Sequence, residues 1–151
     1  MGRILRSATA AAILTLSACS NYPRDIGGTL DRIHRSDRLR VGLAAIRPED
    51  RALAEAFVAR LERATGATAT ATTAPAERQL GRLEQGKLDV VLGEFADDTP
   101  WLAEVAVIEP LTEHREGRRT LGLAAVAANG ENAWVMLLER EVRDLRAGAA
   151  P

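Results

Sequence analysis

Leu80-Gly81-Arg82-Leu83-Glu84-Gln85-Gly86-Lys87-Leu88-Asp89-Val90-Val91-Leu92-Gly93 reads as the end of a helix, a stop and a strand. Pro75 opens the helix, and Ala76, Leu80 and Leu83 fall on one face. Gly86 ends it. Leu88 to Gly93 is a short apolar run, the pattern of a strand buried on both faces in a parallel sheet. The same grammar extends upstream. Leu39-Arg40-Val41-Gly42-Leu43 predicts a strand, and Thr29 to Arg35 before it a helical turn with Leu30 and Ile33 on one side. Pro48, Glu49 and Asp50 suit a helix start, Leu53, Phe57, Leu61 and Ala64 recur at helical spacing, and Gly66 stops that helix. Ala67 to Thr73 alternates alanine and threonine and predicts a weak strand, since threonine favours the pleated conformation.

Downstream, Asp97-Asp98-Thr99-Pro100 predicts a turn into a short helix through Trp101 to Glu104. Val105 to Ile108 and Thr120 to Ala127 read as strands, with His114 to Arg119 a charged loop between them. After Asn129-Gly130, the spacing of Trp134, Leu137, Leu138, Val142 and Leu145 predicts an amphipathic helix. Strands alternating with helices predict an α/β fold: an open, mostly parallel sheet flanked by helices, with right-handed crossovers. Ligands in such sheets bind at the carboxyl ends of the strands. Here those ends are Ala44 to Arg47 and Gly93 to Asp97.

The ordered set resembles the first lobe of type 2 periplasmic solute-binding proteins of ABC transporters. Leu39-Arg40-Val41-Gly42 resembles that family's opening strand. The stretch from Leu80 to Gly93 is similar to its helix, glycine stop and strand before a ligand loop. Asp98-Thr99-Pro100-Trp101, followed by Val105 to Pro110, resembles the next ligand loop and the strand leading to the hinge. Tyr22-Pro23-Arg24-Asp25 and Gly130-Glu131-Asn132-Ala133-Trp134 resemble the two ends of a short subgroup. The resemblance covers roughly Tyr22 to Arg146. The strand-end crevice offers Arg47, Glu94, Phe95, Asp98, Thr99 and Trp101 as candidate ligand-binding residues. The chain also departs from the family. A full member has two lobes that close on a ligand, and between Pro110 and Thr120 there are no residues to build a second. The arginine that grips a ligand carboxylate after the Thr-Pro pair is replaced by Trp101 and Leu102. A single lobe encloses less of a ligand than a closing clamp, so small solutes are expected to bind weakly.

The only cysteine, Cys19, ends Leu16-Ser17-Ala18-Cys19. Before it, Arg3 and Arg6 supply a positive start and Ala8 to Leu16 an apolar or small run, the parts of an export signal. The run is shorter than the ~20 residues that span a bilayer. The four residues resemble the lipobox of bacterial lipoproteins, which implies cleavage before Cys19 and acyl chains on it as a membrane anchor. The alternative is an ordinary secretory peptide, with an unpaired cysteine left unexplained. The expected organisation is a signal peptide over 1–18, a tether over 19–28, one α/β domain over 29–146 and a tail over 147–151. The expected location is the periplasmic side of a membrane.

Charge and chemistry narrow the function. The chain has 20 basic and 21 acidic residues. A mildly acidic domain gives no electrostatic case for nucleic acid. His34 and His114 have no close ligand set, and no second cysteine exists to make a thiolate metal site. There is no nucleophile elbow, P-loop or dinucleotide fingerprint, so no cofactor and no catalytic residue is expected. Glu94 with Asp97 and Asp98 is either a holder of a cation or amine, or a capping group for the next helix. Arg47 is either a contact for an anionic ligand or an ordinary surface arginine ahead of a helix. Trp101 and Trp134 are either core residues or, for Trp101, a ligand-stacking ring. The expectation is a non-catalytic solute-binding-like lipoprotein, accessory to a transporter permease or sensing an amino acid or organic ion. The alternative is an envelope interaction module, homodimeric or partner-binding, that has lost ligand capture.

Overall fold

The computed structural model describes residues 24–96 and 104–149. In chain order these form α1 (Thr29–Ser36), β1 (Arg38–Leu43), a 3-10 turn (Pro48–Asp50) leading into α2 (Arg51–Thr65), β2 (Thr68–Thr73), α3 (Ala76–Glu84), β3 (Val90–Ala96), β4 (Val105–Val107), β5 (Thr112–Glu116), β6 (Arg119–Ala128) and α4 (Asn132–Ala149). The sheet order is β2-β1-β3-β6-β4, with β5 also on β6. β1 pairs in parallel with β2 and β3, while β6 pairs antiparallel with β3, β4 and β5. Five described strands therefore run one way and β6 alone runs against them. This is the open, mostly parallel α/β sheet expected.

Helices cover both faces. On one, Phe57 and Leu61 of α2, Ile33 of α1 and Trp134, Leu138 and Val142 of α4 pack on Leu39, Val41, Val90, Leu92 and Ala125. On the other, Leu80 and Leu83 of α3 pack on Val91, Phe95, Ala124 and Val126. The period-two alternation of β3 sorts its residues between these two cores. α2 stops where expected, with the Gly66 N–H donating to Glu62 O at 2.8 Å. Gly42 is required by close approach: a Cβ there would lie 2.7 Å from Leu88 Cδ1 and 3.1 Å from Gln79 Cδ.

Three expectations change. The charged stretch from His114 to Arg119 is not a loop. It belongs to the β5–β6 hairpin, in register from Thr112↔Leu123 to Glu116↔Arg119. The hairpin turns at Gly117, whose φ of 62° lies in the left-handed region open to glycine. The charges obscured the strand because only Thr112 and His114 are partly covered, the residues between and after them being exposed. Second, Asp25 to Gly28, expected in a tether, are bound to the domain. Asp25 bridges Glu131, and the Ile26 N–H donates to Gly130 O at 3.1 Å. Third, α4 continues to Ala149, into the expected tail.

The two ends that stood out in sequence meet here. Asp25 Oδ1 accepts from the Trp134 N–H at 3.0 Å and Oδ2 from the Leu30 N–H at 2.9 Å. Glu131 accepts from the Gly27 N–H and, at 2.8 Å, from the Thr29 N–H. Each carboxylate satisfies orphan donors at a helix start, Glu131 reaching from beside α4 to the beginning of α1. Trp134 is fully buried, as its core reading predicted, and its Nε1–H donates to Asp89 O at 2.7 Å.

Candidate functional site

The carboxyl ends of β1 and β3 form a hydrogen-bonded platform. Pairing continues past β1: the Ala44 N–H donates to Leu92 O, and the Glu94 N–H to Ala45 O, both at 2.8 Å. The loop from Ala44 to Arg47 is thus held against β3 at the position where α/β sheets bind ligands. Gln79, completely buried, ties the neighbouring strand ends together. Its Nε2 donates to Leu43 O at 3.3 Å and to Thr72 O.

Glu94 stands on this platform, on the face of β3 opposite Phe95. Its Oε1 lies 3.0 Å from Nε2 of His114, which reaches over from β5. The two groups are in ion-pair range but not aligned as a hydrogen bond, and Oε1, covered from solvent, accepts no hydrogen bond. Thr112 Oγ1 is also covered and without a partner. Thr112 shares a row with Glu94, since both pair with Leu123 of β6. A covered polar atom with no partner costs about 1–3 kcal/mol. The row is therefore a place where a bound donor is favoured. A carboxylate there, with a hydroxyl on the same row, suits a cationic or amine-bearing group.

The other expected residues are placed differently. Arg47 reaches Glu49, two residues on, in an exposed ion pair. Its charge is therefore already matched locally, with no part in the Glu94 row. Phe95 is buried in the α3-side core and lines a second small cavity of about 130 Å³ with Val107, Pro110 and Gly122. Asp98, Thr99 and Trp101 lie outside the described residues, as does Cys19. Thr112 was missed in the sequence, and His114 was set aside there for want of a close ligand set. The signal that could have found them is their i, i+2 spacing, which puts both on one face of a strand.

No family model and no curated protein matches the chain. Solved structures do. A point mutant of domain 1 from TmArgBP in its arginine-bound form shares 16% identity at a TM-score of 0.67, over 78% of this chain and 98% of that one. Another structure of the arginine-bound form of domain 1 from TmArgBP shares 16% at 0.65, over 76% and 98%. TmArgBP is the ArgBP of T. maritima. AncCDT-1, an ancestral cationic amino acid solute binding protein, shares 11% at 0.65, over 80% and 94%. A further structure describes AncCDT-1 as an amino acid-binding precursor of cyclohexadienyl dehydratase. At these identities the likeness shows the fold, one lobe of a type 2 solute-binding protein, and this chain spans nearly all of the solved domain 1.

Proposed function

We propose that this chain is a non-catalytic, solute-binding-like lipoprotein that takes a small cationic or amine-bearing solute, such as a basic amino acid, at the end of β3. The observation that carries the reading is the Glu94 carboxylate at the ligand end of the sheet, whose covered Oε1 accepts no hydrogen bond and has only the ion-pair approach of His114 Nε2 at 3.0 Å. The arginine-bound state of domain 1 from TmArgBP supports it, since a single lobe of this fold there holds a cationic amino acid. Acylation of Cys19, a periplasmic location and a role beside a transporter permease or as a sensor complete the proposal. They rest on the sequence before Asp25 and on the fold. Calorimetry of residues 20–151 against arginine, other amino acids, small organic acids and divalent cations tests the ligand. Heat from the cationic amino acids supports it, and silence across the panel refutes it. A Cys19→Ala variant that still partitions with membranes would refute the anchor.

One observation favours the second reading, an interaction module. β2 is the end strand of the sheet and carries no charge or proline of its own, Glu62 of α2 covering its edge only at the Ala69 N–H. A homodimer by light scattering that leaves the solute panel silent would select that reading.

A further inference from the structure

We propose that a second site, on the flank of the sheet, binds a monocarboxylate with an aliphatic tail. A cleft of about 570 Å³ opens between α2 and the edge strand β2. That volume falls in the range of small-molecule pockets. Its walls are Ala54, Val58 and Ala59 of α2 and Leu43 and Ala71 of the sheet. The same helix is well packed one stripe away, where Phe57 and Leu61 are fully buried. Toward β2, alanines face each other across the gap. Arg51, Glu55 and Ala71 are exposed, so the space is an open surface cleft, and its methyl-lined walls offer apolar contact to a bound chain.

The mouth selects the head group. Arg51, in the first turn of α2, lines the cleft, is exposed, and has no ion pair or side-chain hydrogen bond among the described residues. Glu55, one turn on, also lines it, and Glu62 closes the far end with its Oε1 accepting from the Ala69 N–H at 2.7 Å. A single carboxylate is matched by Arg51. A phosphate or dicarboxylate would bring its further charge toward Glu55 and Glu62, which disfavours it. Glu62 also occupies the outer side of β2 at Ala69, where an added strand would have to pair. This weighs against an extended peptide or a second copy of the chain as the occupant. Glu94 does not line this cleft, so the two sites are separate; only the loop from Ala44 to Ile46 borders both.

The test is titration of the full chain with hexanoate, octanoate and decanoate, beside octylamine and octanol, followed by calorimetry and by methyl NMR of the alanines. Affinity should rise about fourfold per added methylene until the cleft is filled. Octanoate should bind at least tenfold more tightly than octylamine, with the Ala54, Ala59 and Ala71 methyls shifting. Arg51→Gln should weaken octanoate about tenfold and leave octanol unchanged. Ala71→Phe, which fills the cleft from an exposed edge position, should abolish octanoate binding. Ala59→Leu repeats that test should Ala71→Phe fail to fold. Glu94→Gln should leave octanoate binding intact. Equal affinity for octylamine, octanoate binding that survives a filled cleft, loss of it in Glu94→Gln, or no binding at all would each overturn the proposal.

Discussion

The two ends of the sheet treat buried polar groups in opposite ways. At the amino end of β3, the Asp89 side chain is fully covered and saturated. Its carboxylate lies 2.6 Å from Arg32 Nη1 and 2.6 Å from Arg40 Nη2, and accepts the Arg40 backbone N–H at 2.7 Å. Beside it, Asp25 and Glu131 each accept two backbone donors across the clasp between the chain's ends. At the carboxyl end the accounting fails. The covered side-chain atoms without a partner among the described residues are Gln79 Oε1, Glu94 Oε1 and Thr112 Oγ1. All three sit toward the ends of β1, β2 and β3 from which α/β sheets bind ligands. A saturated carboxylate holds structure together; an unsaturated one at a strand end is available to a partner. The contrast separates residues that specify the fold from those that specify a ligand.

The largest test of this division is Asp89→Ala. Breaking a buried ion pair commonly costs about 3–5 kcal/mol. Arg32 and Arg40 keep side-chain exposures of 33% and 32% and can recover water, so the expected loss is near the lower end, about 3 kcal/mol. Urea unfolding reads it, and the folded fraction should keep its solute affinity. Glu131→Ala removes, at a residue that is 4% exposed, the acceptor for the first N–H of α1 at Thr29 and for the Gly27 N–H just before the helix. The expected cost is about 2 kcal/mol, seen as a lower melting temperature with binding again unchanged. Glu94→Gln should behave in reverse. Stability by thermal melting should change by no more than about 1 kcal/mol, the scale of its partly exposed pair with His114, while affinity for a cationic solute falls at least tenfold. Arg47→Ala should be the quietest. Its exposed pair with Glu49 contributes about 0–1 kcal/mol, and a large loss of cation binding in that variant would blur the division drawn here.

Much of this architecture was legible in the sequence because period and punctuation agreed. Leu80 to Gly93, Pro48 and Gly66 mark element ends by local chemistry, and the apolar spacing of Trp134 to Leu145 follows from a helix lying on a sheet. What escaped depends on contacts distant in sequence. Glu131 reads as one acid among many until Gly27 and Thr29, more than 100 residues away, are seen to donate to it. The β5 strand was hidden because its edge position leaves alternate residues charged and solvated. Glu94 was recognised as a candidate from its place after an apolar strand. Its partner His114 was not, since their approach is created by β6 running between them. The cleft beside α2 left only a trace, the alanines of the Ala67 to Thr73 stretch, which read equally as compositional bias.

The most direct test of the central claim is a paired calorimetric titration of the unaltered protein and Glu94→Gln with arginine. The account predicts weak, saturable, one-to-one binding to the unaltered protein, and its loss in a variant that still unfolds cooperatively within a few degrees of it. Equal binding by both proteins, or none by the unaltered one, would contradict it.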